Sequence, residues 1–288
     1  MLNKKSLSVW VIGILLLFNI LAWSAVFDLN GLYLLEVNFF DVGQGDAIFI
    51  ETPDRYQILV DGGPDSTVLE KLAKEMPFWD RSIDLIILTH PERDHITGLL
   101  DVLKRYKVEN ILWTGIVRDI AEYEEWQRLI QEEGARIFIA KLDEKLSLSG
   151  ELNFLILSPL ESQEGKALKD SNDSSIVFRL SFKENSFLFM GDAGKAVEQK
   201  IIDAGEDIDS DVLKIGHHGS KTSSSKNFIE SVSPQTAVIQ LGRDNSYGHP
   251  HQEVLENLQG IEILRTDMEG DIRIISDGEN IFYNRLQN

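Results

Sequence analysis

Hydrophobic positions change their period along the chain, and each change predicts a different kind of element. Residues 6–27, "SLSVWVIGILLLFNILAWSAVF", are an uncharged apolar run without amphipathic spacing, about as long as a helix that spans a bilayer. Lys4 and Lys5 precede it, so the positive-inside tendency keeps the amino terminus in the cytoplasm and sends the rest of the chain outward. Residues 1–27 are therefore expected to be a membrane anchor or signal segment. Ala22 and Ser24 are small residues where a signal peptidase reads, whereas Trp23 between them and the length of the run favour retention. Retained, the segment anchors the protein on the extracytoplasmic face of the membrane; cleaved, it leaves a secreted protein.

From residue 33 to 288 short strand-like runs alternate with amphipathic helical ones, with no low-complexity linker and no solenoid repeat, which predicts one domain. "YLLEVNFF", "DAIFIE" and "YQILVDGG" read as three opening strands, with "DVGQGD" as the tight glycine turn between the first two. Helical spacing at "STVLEKLAKEM" and "ITGLLDVLKRY" flanks a strand at "DLIIL". Further strands read at "NILWTG", "ARIFIA", "LNFLILS", "SIVFRLSF" and "SFLFMGD". After "SDVLKIGHHG" come a helix near "NFIESV", a strand "TAVIQLG", a helix "HQEVLENLQ" and the strands "IEILRT", "DIRIIS" and "NIFYNR". Strands apolar enough to sit inside, with helices returning between them, predict an α/β (α+β) fold of two sheets packed face to face under outer helices.

Composition narrows the chemistry. The chain holds 47 acidic against 28 basic residues, a formal net charge of −19, so any phosphate-bearing substrate has to be attracted locally. Cysteine is absent, which excludes a disulfide framework, a thiolate zinc site and a cysteine nucleophile. No G-x-S-x-G elbow is present either. Nitrogen ligation falls to histidine, and all six histidines lie in three clusters: His90 and His95, His217 and His218, His249 and His251. Each cluster follows an apolar strand, and strand ends along one edge of a sheet sandwich converge. In "LTHPERDH" the imidazoles of His90 and His95 are joined by Glu92 and Asp94, a density that points to a dinuclear site; Asp94 is also placed to help cap the next helix. Asp192 in "FLFMGDA" follows another strand. Alone it reads as a Gly-Asp turn; beside the histidines it reads as a carboxylate bridging two cations about 3.5 to 4 Å apart. Nitrogen and oxygen ligands suit zinc, manganese or iron.

The ordered set "FFDVGQGDAIFI", "VDGGP", "LTHPERDHITGL", "SSIVFRLSF", "FLFMGDA", "LKIGHHGS" and "NSYGHP" resembles the metallo-β-lactamase superfamily, and within it the hydrolase domain of ComEC-type DNA-uptake competence proteins, over residues 36 to about 285. The resemblance implies a four-layer αββα sandwich with a two-metal site at one edge. His90, Asp94 and His95 match the first, third and fourth named positions of the H-x-H-x-D-H motif, whose second position, commonly Asp in competence-type members, is Glu92 here. Glu92 then ligates through a shifted ion or stands behind the ligands. Asp192 resembles the bridging aspartate, His249 the late histidine of the second ion, and His217 a ligand or proton shuttle. The middle histidine of many relatives is replaced by Asn172 and Asp173, giving a more oxygen-rich site in which manganese competes with zinc. Asp61 resembles the aspartate that steadies the metal loop, and Asp41 and Asp46 are expected to line the site.

The reaction implied is hydrolysis by a hydroxide held between two divalent ions, Zn or Mn, with Asp94 in the catalytic set and His218 as candidate proton donor to the leaving group. Ser220 and Lys221 in "HHGSKTSSSK", with Lys226 beyond them, are candidate phosphate contacts; a solvated serine-rich loop is the plain alternative. The expected substrate is DNA, single- or double-stranded, cleaved by a phosphodiesterase or nuclease outside the cytoplasm beside a separate uptake channel. A lactam, lactone or ester hydrolase on the same site, and a non-catalytic binding module with an impaired first ion, are the competing readings.

Overall fold

The computed structural model describes residues 4–29, 34–142, 145–149, 152–168 and 171–285. Two compact units divide between Tyr33 and Leu34. The first three residues of the expected anchor, Tyr33 of the first expected strand, and the last three residues of the chain lie outside the described residues.

The smaller unit is one 26-residue helix, α1 (Lys4–Leu29). Its described side chains run from Trp10 to Trp23 and are exposed, with Trp10 and Phe18 about two-thirds so. Among the described residues no helix is long and apolar enough to cross a membrane.

In the larger unit the first strands are β1 (Leu35–Phe39), β2 (Ile48–Glu51), β3 (Gln57–Val60), β4 (Ser82–Leu88), β5 (Lys107–Trp113), β6 (Arg136–Ile139) and β7 (Lys145–Ser149). They are followed by β8 (Leu152–Ser158), β9 (Val177–Phe182), β10 (Asn185–Phe189), β11 (Val212–Lys214), β12 (Thr236–Ile239), β13 (Glu262–Arg265), β14 (Ile272–Ser276) and β15 (Ile281–Arg285). The helices are α2 (Thr67–Glu75), α3 (Arg93–Leu103), α4 (Ala121–Glu133), α5 (Lys195–Ala204), α6 (Lys226–Val232), α7 (Gln252–Asn257) and α8 (Thr266–Glu269). One sheet has the order β15-β14-β1-β2-β3-β4-β5-β6, the other β13-β12-β11-β10-β9-β8-β7. Both are mixed, with β3 to β6 parallel in the first and β10 to β13 parallel in the second.

The period-two pattern explains the layers. Leu85 and Ile87 of β4 face the second sheet, whereas Ile86 and Leu88 pack outward on α2, α3 and α4. Phe154, Phe178 and Phe189 stack at 4.4 and 4.6 Å between ring centres, and Phe39 of the first sheet meets Phe189 at 6.2 Å, which locks the two sheets together. A third apolar cluster buries Val197, Ile201, Phe228, Ile229 and Val254 of α5, α6 and α7 on the outer face of the second sheet. The αββα sandwich follows from these three cores. Helix α4 goes beyond the elements the pattern predicts. Its face of Trp126, Leu129 and Ile130 is buried, with Trp126 edge-on to Trp113 at 6.2 Å. The acidic "EYEE" and "QEE" around that face dilute the apolar signal.

Candidate metal centre

The carboxyl ends of the parallel strands of both sheets open on one edge, and the chemistry-bearing side chains leave the fold there. His90 follows β4, Asp61 follows β3, Asp192 follows β10, and His217 and His218 follow β11. Two local devices bring them close. Gly45, with φ +145°, lets the loop before β2 lie on the start of α3; a Cβ at this position would stand 2.2 Å from the Asp94 carbonyl oxygen. His217 and His218 both take left-handed backbone conformations, φ 49° and 52°, which cost about 1 kcal/mol or more each and mark a functional turn.

One ligand atom from each of Asp94, His95, Asp192 and His218 lies within 4.8 Å of the other three. His95 Nε2 is 3.4 Å from Asp192 Oδ1, and His218 Nε2 is 3.3 Å from Asp94 Oδ2 and 3.5 Å from Asp192 Oδ2. His90 Nε2 stands 3.9 Å from Asp192 Oδ2. Yet His90 Nε2, His95 Nε2, His218 Nε2 and Asp192 Oδ1 are all buried with no hydrogen-bond partner. Buried polar atoms left in that state are costly. A cation held at about 2.0 to 2.2 Å by nitrogen and oxygen fits such a group of convergent, unpaired atoms. The donor set therefore suits a divalent metal.

Outer contacts set which ring nitrogen faces inward. His95 Nδ1 donates to Asp61 Oδ2 at 2.8 Å, and Asp61 accepts in turn from the Thr89 amide at 2.8 Å and the Thr89 hydroxyl at 2.7 Å. His90 Nδ1 rests on the same hydroxyl at 3.1 Å, and His218 Nδ1 donates to the Gln240 carbonyl at 2.9 Å. All three Nε2 atoms are thereby presented to the centre. Behind His218, Asp46 Oδ1 lies 3.3 Å from Nδ1 while its other oxygen pairs with the buried ammonium of Lys214, which also donates to the Gly191 carbonyl at 3.2 Å.

The electrostatics follow from burial among carboxylates. Burial alone would drive the proton from His218, but Asp192 and Asp46 outweigh it and raise the ring to about 10. His95 is likewise raised well above the ordinary histidine value: burial opposes this, but Asp192, Asp61 and Asp94 prevail. His90 goes the other way, to about 3, through burial and the neighbouring His95. His249 falls to about 4 through burial and the charges of His218 and His217. Burial tends to raise Asp192 and Asp94, yet the imidazoles around them hold both well below the carboxylate range.

A cavity of about 520 Å³ opens over this cluster, lined among others by Gln44, Glu92, Asn172, His217, Tyr247 and His249. His249 stands beyond the four-residue cluster, its ring 6.0 Å from His217 and stacked on Tyr247 at 5.7 Å. His217 is half-buried, 3.9 Å from Asp192 Oδ2 through Nε2, with Asn172 Nδ2 at 3.4 Å from the same nitrogen.

Several expected roles change places. His218, expected as a proton donor, is the buried imidazole inside the ligand cluster at the cavity floor, and His217 is the more exposed ring on the cavity wall. Glu92 lines the cavity but lies outside the compact cluster, its Oε1 held by Arg118 Nη2 at 2.6 Å and by the Ser171 hydroxyl. Asp41 does not reach the site: its Oδ1 accepts from the Gly43 amide at 3.2 Å within its own turn. Ser220 is buried with its hydroxyl on Thr222 Oγ1 at 3.0 Å, Lys221 is exposed and away from the cavity, and Lys226 faces Glu230 at 3.8 Å. Asp94 sits in the first turn of α3 without capping it, and His251 caps α7 by accepting from the Glu253 amide at 3.4 Å. The pattern missed Lys214 and Gln240, whose signal is a lone polar residue inside the apolar runs "VLKI" and "AVIQL".

Fold and centre define a metal-dependent hydrolase of the two-sheet class, with the His/Asp cluster at the strand ends. The Metallo-beta-lactamase superfamily model matches residues 40–243, and the chain belongs to that superfamily. It is 34% identical over 258 residues to ComE operon protein 3 of Bacillus subtilis, covering 83% of this chain and 32% of that protein. It is 31% identical over 258 residues to Recombination protein 2 of Haemophilus influenzae, covering 88% and 29%. Competence protein ComA of Neisseria gonorrhoeae is 30% identical over 241 residues, covering 82% and 32%. The chain thus spans about a third of the length of these relatives. Among solved structures, the metallo-beta-lactamase fold protein YhfI from Bacillus subtilis superposes with a TM-score of 0.55 at 14% identity, covering 87% of this chain and 100% of that one.

Proposed function

We propose that the chain is a two-metal phosphodiesterase, binding Zn or Mn, that cleaves DNA on the extracytoplasmic side of the membrane. The observation that carries this reading is the convergence of Asp94, His95, Asp192 and His218, with His90 beside them, under an open cavity. Bound divalent ions would supply an activated water and neutralise a phosphoryl oxygen. The chain's own residues divide the remaining work. Asp192 presents Oδ2 to His90 and His218 and Oδ1 to His95, so it is the bridging candidate. Asp61 and Gln240 fix the rings that present Nε2. His217, half-buried at the cavity wall with Nδ1 3.1 Å from the Thr222 hydroxyl, is placed to pass a proton to a leaving oxygen.

The DNA substrate is supported by the likeness to proteins named for competence and recombination, and a net acidic chain makes the local cations the attraction for phosphate. A separate uptake channel as partner rests on the same likeness. The membrane site rests on the apolar run of residues 6–27 behind Lys4 and Lys5. Purified protein with Mn²⁺ is expected to degrade a labelled oligonucleotide, and to lose that activity with EDTA and in Asp94→Ala. A cavity of about 520 Å³ also suits a small ligand, so the same preparations are tested on lactams, lactones and small esters. Turnover of those with intact DNA would replace the nuclease reading.

A further inference from the structure

Glu92 stands two residues from Asp94, at the motif position where a ligand to the first ion is expected, yet its carboxylate is already engaged. Arg118 Nη2 meets Oε1 at 2.6 Å, and the Ser171 hydroxyl bonds the same oxygen. Arg118 is itself fixed. Its Nη1 donates to the Leu168 carbonyl at 3.3 Å, and the neighbouring Val117 amide donates to the Lys166 carbonyl at 2.9 Å, in an isolated bridge between Val117 and Ala167. The guanidinium is thus braced between the loop before α4 and the segment before β9, with its side chain only 18% exposed.

The other half of the first position is incomplete as a result. His90 Nε2 is buried and unpaired, and Asp192 Oδ2 stands 3.9 Å away. A third ligand is needed, and the middle histidine of many relatives is absent, with Asn172 turned to His217. Besides His217, whose Nε2 is also 3.9 Å from Asp192 Oδ2, the cavity lining offers Glu92. To take it, an ion has to break a charge-assisted pair and then sit beside the guanidinium cation. Both effects weaken binding at this position and leave the cluster of Asp94, His95, Asp192 and His218 untouched.

We propose that Arg118 withholds Glu92 from the metal, so that the centre has one firm ion site at Asp94, His95, Asp192 and His218 and one weak site beside His90. This rests on the two-metal reading above and makes the two ions unequal. Arg118 is a positioning residue: it acts through Glu92 and sets how readily the first ion loads.

The test is titration of the full chain with Mn²⁺, followed by the electron paramagnetic resonance signal of the free ion. Wild type is expected to show one tight and one weak site. Arg118→Met should tighten the weak site by about 10- to 100-fold, the range typical of outer partners of metal ligands, and leave the tight one unchanged. Glu92→Asp, one methylene shorter and drawn back from Arg118, should tighten it too. Adding Glu92→Gln to Arg118→Met should cancel the gain, which a general loosening of the fold would not do. A weak site unmoved in both Arg118→Met and Glu92→Asp overturns the proposal. Two equal sites in the wild type sink it alone; absence of any tight site sinks the two-metal reading with it.

Discussion

Loading the centre with a divalent ion should release about two protons at neutral pH. In the metal-free protein His218, raised to about 10, and His95, raised well above the ordinary value, both carry a proton on Nε2 at pH 7. His90 at about 3 and His249 at about 4 are already neutral there, and Asp94 and Asp192 are ionised. An ion entering the four-residue cluster therefore displaces the protons of His95 and His218 and no others from these groups. For His218 the gap between about 10 and pH 7 corresponds to about 4 kcal/mol taken from the intrinsic affinity. With the proton of His218 in play, affinity should fall at least about 10-fold for each unit of acidification between pH 8 and 6, and more steeply where His95 also carries its proton. Calorimetric titration with Mn²⁺ in buffers of differing ionisation enthalpy counts the protons directly, and His218→Asn should lower the count by about one. Release of no protons, or an affinity that does not move between pH 6 and 8, would refute the electrostatic account. The same shift has a sign for stability. Because the folded value of His218 exceeds its unfolded value of about 6.5, its contribution to the metal-free fold is whole below pH 6.5 and is lost as pH rises toward 10.

Two further perturbations separate orientation from support. Asp61→Asn keeps an acceptor for Thr89 and tolerates the left-handed backbone at φ 56°, but removes the charge facing His95 Nδ1; Mn²⁺ affinity should drop about 10- to 100-fold in a titration while the urea midpoint moves little. Lys214→Met leaves the buried Asp46 carboxylate without its ammonium, which should cost about 3 to 5 kcal/mol in urea denaturation, partly recovered when Asp46→Asn is added.

Much of the sandwich was legible because its strands are buried on one or both faces. Runs such as "LIIL" and "SFLFM" carry no charge, so they read as interior strands. Helix α4 was not, since "AEYEEWQRLIQEE" carries five acidic residues around its buried face and its period is visible only once Trp126, Leu129 and Ile130 are seen to share a side. In the centre, residue type and position after a strand were enough to select His90, Asp94, His95 and Asp192. Adjacent His217 and His218 were indistinguishable by spacing. Their division is set by a left-handed turn that aims one ring at Gln240 and the other at the cavity, a backbone property with no signature in "GHHG" beyond its flanking glycines. Ser220 and Lys221 part in the same way, one side chain buried and the other exposed, which their adjacency in "GSKT" does not show.

The partners of the centre cross from sheet to sheet, and this explains why the residues behind the ligands matter as much as the ligands. Gln240, at the end of β12, donates through Nε2 to the carbonyls of Phe40 and Ala47 across the sandwich at 3.1 and 2.9 Å. Asp46, before β2, pairs with Lys214 and His218 of the second sheet, and Asp192 of the second sheet faces His90 and His95 of the first. Asp46, Asp61, Asp94 and Asp192 bring four carboxylates to this edge, against Lys214 as the buried ammonium between the sheets. Protons on His95 and His218 offset part of that charge in the metal-free protein, and an ion that displaces them takes over the role while binding both sheets at once. Metal affinity and the docking of the two sheets are thereby linked through the same few side chains, so a substitution at Gln240 or Asp46 that shifts one sheet edge acts on the centre without touching an ion.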